Sequence, residues 1–512
     1  AIAFGYWEKL QYRKAGEAYG RAPATPKHLY RAARGLWLGG RETEAIAAYK
    51  RLVTTFPDGG DDTALGLLRL ARLVNRQEAI AYLDTLMQKY PDKAPDALVE
   101  KAKALEALGS TASAQQARQS VLTQHSNSDA AAELRWQAAQ TFAAAGNLKE
   151  AWAQASKLTE DNPQSDRAPQ AAYWIGKWAQ ALQKDAEAAQ AYKHLLKQYP
   201  GSYYAWRAAV KLGWEVGDFQ TVRQLNPAVV RSLHLDPPPA GSDLLQELYQ
   251  LGQFRDAWML WQVEFTNPKE PTVAEQFTDG LVRLGIGDNL DGMFMVSSLD
   301  FRDRPEEVAE VEALKQQPAY WEALYPFPYL ELILRWSQER QLNPVLVTAL
   351  IRQESRFMPA IESVAGAMGL MQVMPDTGSW VAGKIGLDAY ALDNPDNNIQ
   401  LGTWYLDYTH QEYSNNSLLA VASYNAGPGN VADWLARFGF DDPDVFVERI
   451  PFDETRDYVE KVFGNYWNYL RLYNPQIQEQ LATLTATSDG TSDRTSDKKS
   501  NPTSEATEEP SP

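Results

Sequence analysis

Apolar residues recur at three- and four-residue spacing along most of the chain, the period of amphipathic helices, and the strict alternation of a half-buried strand is scarce. Between Leu29 and Pro57 the pattern reads as a helix, a Gly39-Gly40 turn, then a second helix carrying Ala45, Ala48 and Tyr49 and ending at Phe56-Pro57. The same plan closes at Tyr90-Pro91, Asn162-Pro163 and Tyr199-Pro200, with a degenerate version around His125-Ser126-Asn127. Small residues such as Ala151, Ala155, Ala188 and Ala191 fall where paired helices would cross.

Successive ends lie roughly 34–37 residues apart, the period of tetratricopeptide-like helix pairs. An irregular bundle is the competing reading, and the near-equal intervals favour the repeat. Such arrays offer curved binding surfaces or scaffolds. The register then weakens. Pro237-Pro238-Pro239 is a stiff break, Leu244 to Phe265 gives one more pair around Gly252, and Asn267 to Ala323 is helical but irregular. Tyr325-Pro326-Phe327-Pro328-Tyr329 marks a boundary, because residues before proline avoid the helical region. These breaks predict a repeat domain over 1–240, a helical linker domain over 241–323, a compact domain over 324–475 and a largely disordered tail over 476–512. From Thr485 onward the tail is rich in Ser, Thr, Asp, Pro and Lys and has no aromatic residue. The compact domain, from about Pro328 to Asn474, is expected to fold alone.

Composition narrows the chemistry. None of the 512 residues is cysteine, which removes thiolate catalysis, disulfides and cysteine-based metal sites. The net charge is −17, and 10 basic residues face 19 acidic ones between Tyr325 and Asn474. A nucleic-acid partner is therefore not expected. No apolar run approaches the ~18 residues of a membrane span, and the opening Ala1-Ile2-Ala3-Phe4 has neither the basic nor the apolar part of a targeting segment. The five histidines are nowhere paired at ligand spacing, so no metal site is expected.

Asn343-Pro344 starts a helix, an N-cap followed by proline at the first helical position. On it Val347, Leu350, Ile351 and Glu354 share one face, so a carboxylate extends an apolar stripe near a helix C-terminus. Desolvation and the helix dipole both push its pKa upward, toward the range of a general acid. An outward-turned surface glutamate is the plain alternative.

Four motifs follow in order: Glu354-Ser355, then Gly369-Leu370-Met371-Gln372-Val373-Met374-Pro375, then Ser423-Tyr424-Asn425-Ala426-Gly427, then the run from Ile450 through Glu454 to Val459. Each has a plain explanation on its own. Met368, Met371 and Met374 suit core filler, and Glu454 suits the first turn of a helix. Together they resemble the catalytic domain of the soluble lytic murein transglycosylases, over roughly Pro328 to Tyr473. Ser423 departs from the alanine common in that family, a small change. The upstream helical array resembles the family in architecture only.

The resemblance implies an all-α protein: a tetratricopeptide-like helical superhelix, a helical linker domain and a lysozyme-like α domain with a glycan groove. It implies cleavage of peptidoglycan strands after N-acetylmuramic acid without water, leaving a 1,6-anhydro end. Glu354 would act first as acid, then as base. Ser363, Gln372, Met374, Tyr424, Asn425 and Glu454 match positions that line the site or hold the sugars. No cofactor is implied, the location would be the periplasm or cell envelope, and the repeats leave room for cell-wall enzyme partners. Asp376, Asp388, Asp393 and Asp396 lie downstream as candidates for a second acid, against which the resemblance argues. Trp380, Trp404, Tyr405 and Trp434 suit either sugar stacking or the core. Two further readings stand beside this one: a muramidase that admits water on the same scaffold, and a non-enzymatic repeat scaffold that binds glycan or protein.

Overall fold

The computed structural model describes residues 2–8, 11–232 and 234–492, with side chains given up to 485. The described residues are all-α apart from two isolated bridges, Glu362 to Met368 and Met368 to Val373. The chain divides into two compact units, 1–191 and 192–512.

In the first unit helix pairs follow one another: Pro26–Leu38 with Glu42–Thr55, Gly60–Leu73 with Arg76–Lys89, Ala94–Ala107 with Thr111–Gln124, and Asp129–Ala144 with Leu148–Asp161. One alanine per pair makes the close crossing possible. Ala45, Ala79, Ala114 and Ala151, and Ala188 on the further helix Asp185–Gln198, recur at the same point of each second helix and are all buried. Ala155 is buried too, whereas Ala191 is only half-buried. The pairs also end alike. Phe56 (φ −129°, ψ 65°), Tyr90 (−132°, 75°) and Asn162 (−129°, 50°) precede prolines, which bar them from the helical region. His125 has no proline after it yet takes nearly the same backbone, φ −132° and ψ 41°, so the degenerate repeat is a full one. Asn162 then ties neighbouring repeats, its side-chain amide donating to the carbonyls of Ser126 and Ser128.

The second unit opens upstream of the expected boundary at 240. The stretch from Pro200 to Val230 packs on the long helix Asp453–Tyr473. Trp206 stacks on Phe463 with centroids 4.8 Å apart and planes 2° from parallel. The Trp467 indole donates to the Pro200 carbonyl at 2.6 Å, and the Tyr466 hydroxyl donates to Val216 at 2.9 Å. Arg207 and Asp444 form a buried ion pair at 2.7 Å, a contact costly to break from one side. The compact domain from Pro328 to Asn474 thus carries an aromatic face that the 200–230 stretch covers. Residues 240–325 make their own core around Trp261, Phe277 and Tyr320, where buried Asp279 accepts from the Trp261 indole and from Arg283.

The tail expected to be disordered from 476 begins instead as a helix, Pro475–Ser492, with Asn474 accepting from the Ile477 amide and Ile477 buried. The rest of that tail, 493–512, lies outside the described residues. No helix among the described residues is long and apolar enough to cross a membrane.

Candidate active site

Helix Pro344–Ser355 starts as expected, with the Asn343 side chain accepting from the Val345 and Leu346 amides. Its stripe is the core of the domain: Val347, Leu350 and Ile351 are fully buried. Glu354 follows one turn later, crowded by protein on most sides but with part of its surface open to solvent. Burial pushes its carboxyl up to about 7, opposed by a hydrogen bond that the Tyr458 hydroxyl donates to Oε1 at 2.5 Å. Burial, rather than the helix dipole, is the main cause.

Ser355 anchors the helix end. Its hydroxyl donates to the Leu370 carbonyl at 2.8 Å and accepts from the Phe357 amide, while Arg356 and Phe357 turn the chain through positive φ, 48° and 63°. The loop that Ser355 grips, 361–373, is closed by its own groups. Ser363 Oγ accepts from the Ala367 amide at 3.0 Å, and Gln372, at φ 47°, donates its side-chain amide to the carbonyls of Gly369 and Ile361. Buried Asn398 on helix Pro395–Glu412 accepts from the Met371 amide at 2.7 Å and donates to Met368 and Leu392. Gly369, at φ 80°, lies so close that a Cβ there would stand 2.2 Å from Asn398 Nδ2 and from the Leu392 carbonyl.

Tyr424, near the end of helix Ser417–Ala426, donates its hydroxyl to the Met371 carbonyl at 2.8 Å. Burial and then the Glu354 charge raise the Tyr424 phenol well above its usual range, which sets the two side chains in one electrostatic environment. Asn425 is exposed, and its side-chain oxygen accepts from Thr455 Oγ1 at 2.6 Å, docking this helix on the first turn of Asp453–Tyr473. Glu454 is exposed in that turn, one helical turn before Tyr458. Met371 is core, as its residue type suggested, but Met374 is 41% exposed.

The fold thus gathers Glu354, Tyr424 and the Met371 carbonyl, and it uses Ser363 and Gln372 to shape the loop that carries that carbonyl. Met374, Asn425 and Glu454 are exposed, and none of them has a hydrogen bond to Glu354 among the described residues. Tyr458, Ser355 and Asn398 escaped the reading of the sequence as site residues. For Tyr458 a signal existed, its position four residues after Glu454 in the last motif. Of the basic residues near the motifs, Arg352 is committed to structure, bonded to the Leu324 carbonyl and to Asn465, and Arg456 pairs with Asp453. Among the described residues no group of three or more His, Asp and Glu side chains is placed to hold a metal ion.

With this geometry in hand, residues 331–447 match the Transglycosylase SLT domain family, and residues 29–59 and 170–202 match a tetratricopeptide repeat family. The C-terminal domain is an SLT transglycosylase domain. It is 39% identical over 155 residues to the soluble lytic murein transglycosylase of Escherichia coli K12, covering 29% of this chain and 24% of that protein. A putative soluble lytic murein transglycosylase of Haemophilus influenzae is also 39% identical, over 168 residues, 31% of this chain and 28% of that one. The matches thus span about a quarter of the relatives' length. In fold, an inactive mutant of the lytic transglycosylase Slt from Pseudomonas aeruginosa superposes with a TM-score of 0.50 at 21% identity, over 93% of this chain and 76% of that one. The SLT match stops before Glu454 and Tyr458, so the Tyr458–Glu354 contact extends the site beyond the matched segment.

Proposed function

We propose that this chain cleaves the β-1,4 bond between N-acetylmuramic acid and N-acetylglucosamine in peptidoglycan strands without water. Glu354 is the one catalytic carboxyl. Protonated, it donates to the glycosidic oxygen as the bond to the anomeric carbon breaks, and the acetamido carbonyl oxygen of the same sugar closes on that carbon. The Glu354 carboxylate then takes the proton of the muramic 6-hydroxyl while the 6-oxygen bonds to the anomeric carbon and displaces the acetamido oxygen. The proton returns to Glu354, and the product ends in a 1,6-anhydro ring. A group that must give and then take a proton needs a pKa near the working pH.

The observation that carries this reading is the isolation of Glu354. Its pKa is set by burial and by the Tyr458 hydroxyl, with no contribution from another carboxylate. A retaining hydrolase would hold a second carboxyl about 5 Å away. Asp376, Asp388 and Asp393 are exposed, and Asp396 is bound to Arg335 and the Trp336 indole. Tyr424 orients the acetamido group. Ser363, Gln372, Met374, Asn425 and Glu454 line the groove for the sugars, in the periplasm or cell envelope. The N-terminal repeats and the linker over 241–323 serve the catalytic domain over 324–475 as a binding scaffold, open to cell-wall enzyme partners.

Mass spectrometry of the products tests the chemistry. The purified chain should release glycan ends lighter by one water than hydrolysed ends. Reducing ends would make it a muramidase, and no cleavage of any strand would leave a scaffold.

A further inference from the structure

Four aromatic residues suited either sugar stacking or the core, and the structure separates them. Trp434 is core, 2% exposed against Phe452. Trp404 and Tyr405 are half-buried, while Trp380 is 40% exposed on helix Pro375–Ile385. The Trp380 ring is propped on three sides, by Tyr408 at 5.1 Å, Trp404 at 5.2 Å and Tyr405 at 6.4 Å, and every one of these contacts is edge-on, with planes 78–84° apart. None of the three lies flat on it. Trp404 and Tyr408 by contrast stack on each other, their planes 6° apart.

The platform is also tied to the reacting centre. Tyr405 sits 5.3 Å from the ring of Tyr424, so two ring contacts connect Trp380 to the side chain that shares its surroundings with Glu354. Besides Leu334, three other large apolar side chains left exposed in this domain lie at or near expected groove positions in sequence. Val364 stands next to Ser363, Met374 opens the helix that carries Trp380, and Phe452 lies two residues before Glu454.

Resting on the glycan-cleaving reading above, we infer that Trp380 is a sugar-stacking platform that receives a pyranose of the glycan strand away from the scissile bond, so that it selects for strand length. The apolar face of an N-acetylated pyranose lies flat on the exposed indole, whose orientation is fixed beforehand by its three neighbours, which keeps the entropy cost of binding low.

The test is calorimetric titration of uncrosslinked alternating N-acetylglucosamine–N-acetylmuramic acid strands, a tetrasaccharide and an octasaccharide, into the full chain carrying Glu354→Gln. The Trp380→Ala change in that background should weaken octasaccharide binding roughly five- to tenfold and tetrasaccharide binding less than twofold. Trp380→Tyr, which keeps a flat ring, should recover most of the loss. Equal losses at both lengths, or no loss on the octasaccharide, would overturn the platform while leaving the cleavage reading standing. If wild-type protein neither binds nor cleaves either strand, the glycan reading itself fails and the platform with it.

Discussion

Glu354 and Glu460 both hold their protons up to about 7, and one helix serves them both. Tyr458 and Glu460 are two residues apart on Asp453–Tyr473, roughly 200° around its axis, so they face opposite sides. On one side the Tyr458 hydroxyl donates to Glu354. On the other, Glu460 lies beside Glu448, and the hydroxyl of Tyr204 stands 3.2 Å from Glu448 and 3.3 Å from Glu460. The causes differ accordingly. Burial comes first for both, but Glu460 is also raised by the neighbouring Glu448 charge, whereas Glu354 feels no other acid. A perturbed pKa therefore does not single out the reacting group. What distinguishes Glu354 is its surroundings: the Tyr424 phenol and a loop held by Ser355 and Asn398. Glu460 is a strut between the Tyr203–Lys211 helix and the long helix.

The largest effect that separates the two is on turnover. Glu354→Gln keeps the shape and removes the transferable proton, so glycan cleavage by the full chain should fall by at least ~10²-fold with strand binding kept. Glu460→Gln should leave turnover within about twofold, because a residue far from the substrate changes the rate little. Equal losses in both would erase the distinction.

Tyr458→Phe is the next in size. The hydroxyl lowers the Glu354 pKa, so its removal should move the high-pH limb of the kcat/KM profile upward from about 7. A pH profile that did not move would deny the contact its role.

The smallest effect is on stability. A carboxyl whose folded pKa lies near 7 and whose unfolded pKa is near 4.5 keeps its proton longer in the folded state. Folding then loses stability as pH rises from about 4.5 to 7, and the deficit is complete above 7. Glu460→Gln removes that deficit. It should be more stable than wild type by up to about 3 kcal/mol at pH 8 and close to it near pH 4.5, read by urea unfolding.

Much of this was legible along the chain because the signals are local. The repeat period, the Asn343-Pro344 helix start and the Val347–Leu350–Ile351–Glu354 stripe each depend on neighbours within a turn or two. Contacts between distant residues were not legible. Tyr458 meets Glu354 across 104 positions and Trp206 stacks on Phe463 from a stretch that reads as repeat, so no local pattern announces either one. Helix Pro475–Ser492 hides for a different reason: its composition is polar and lacks aromatics, yet a single buried Ile477 and the Asn474 cap tie its start to the long helix. Met374 shows the limit of residue type, since a methionine that suits a core is largely exposed.

The central claim is that Glu354 exchanges its proton near neutral pH, and carbon-13 NMR of side-chain carboxyls in glutamate-labelled protein measures this directly. Two resonances should titrate near 7, one absent from Glu354→Gln and the other from Glu460→Gln. If the resonance lost in Glu354→Gln titrates instead near 4.5, the carboxyl is an ordinary anion at neutral pH and cannot be the acid that starts the reaction.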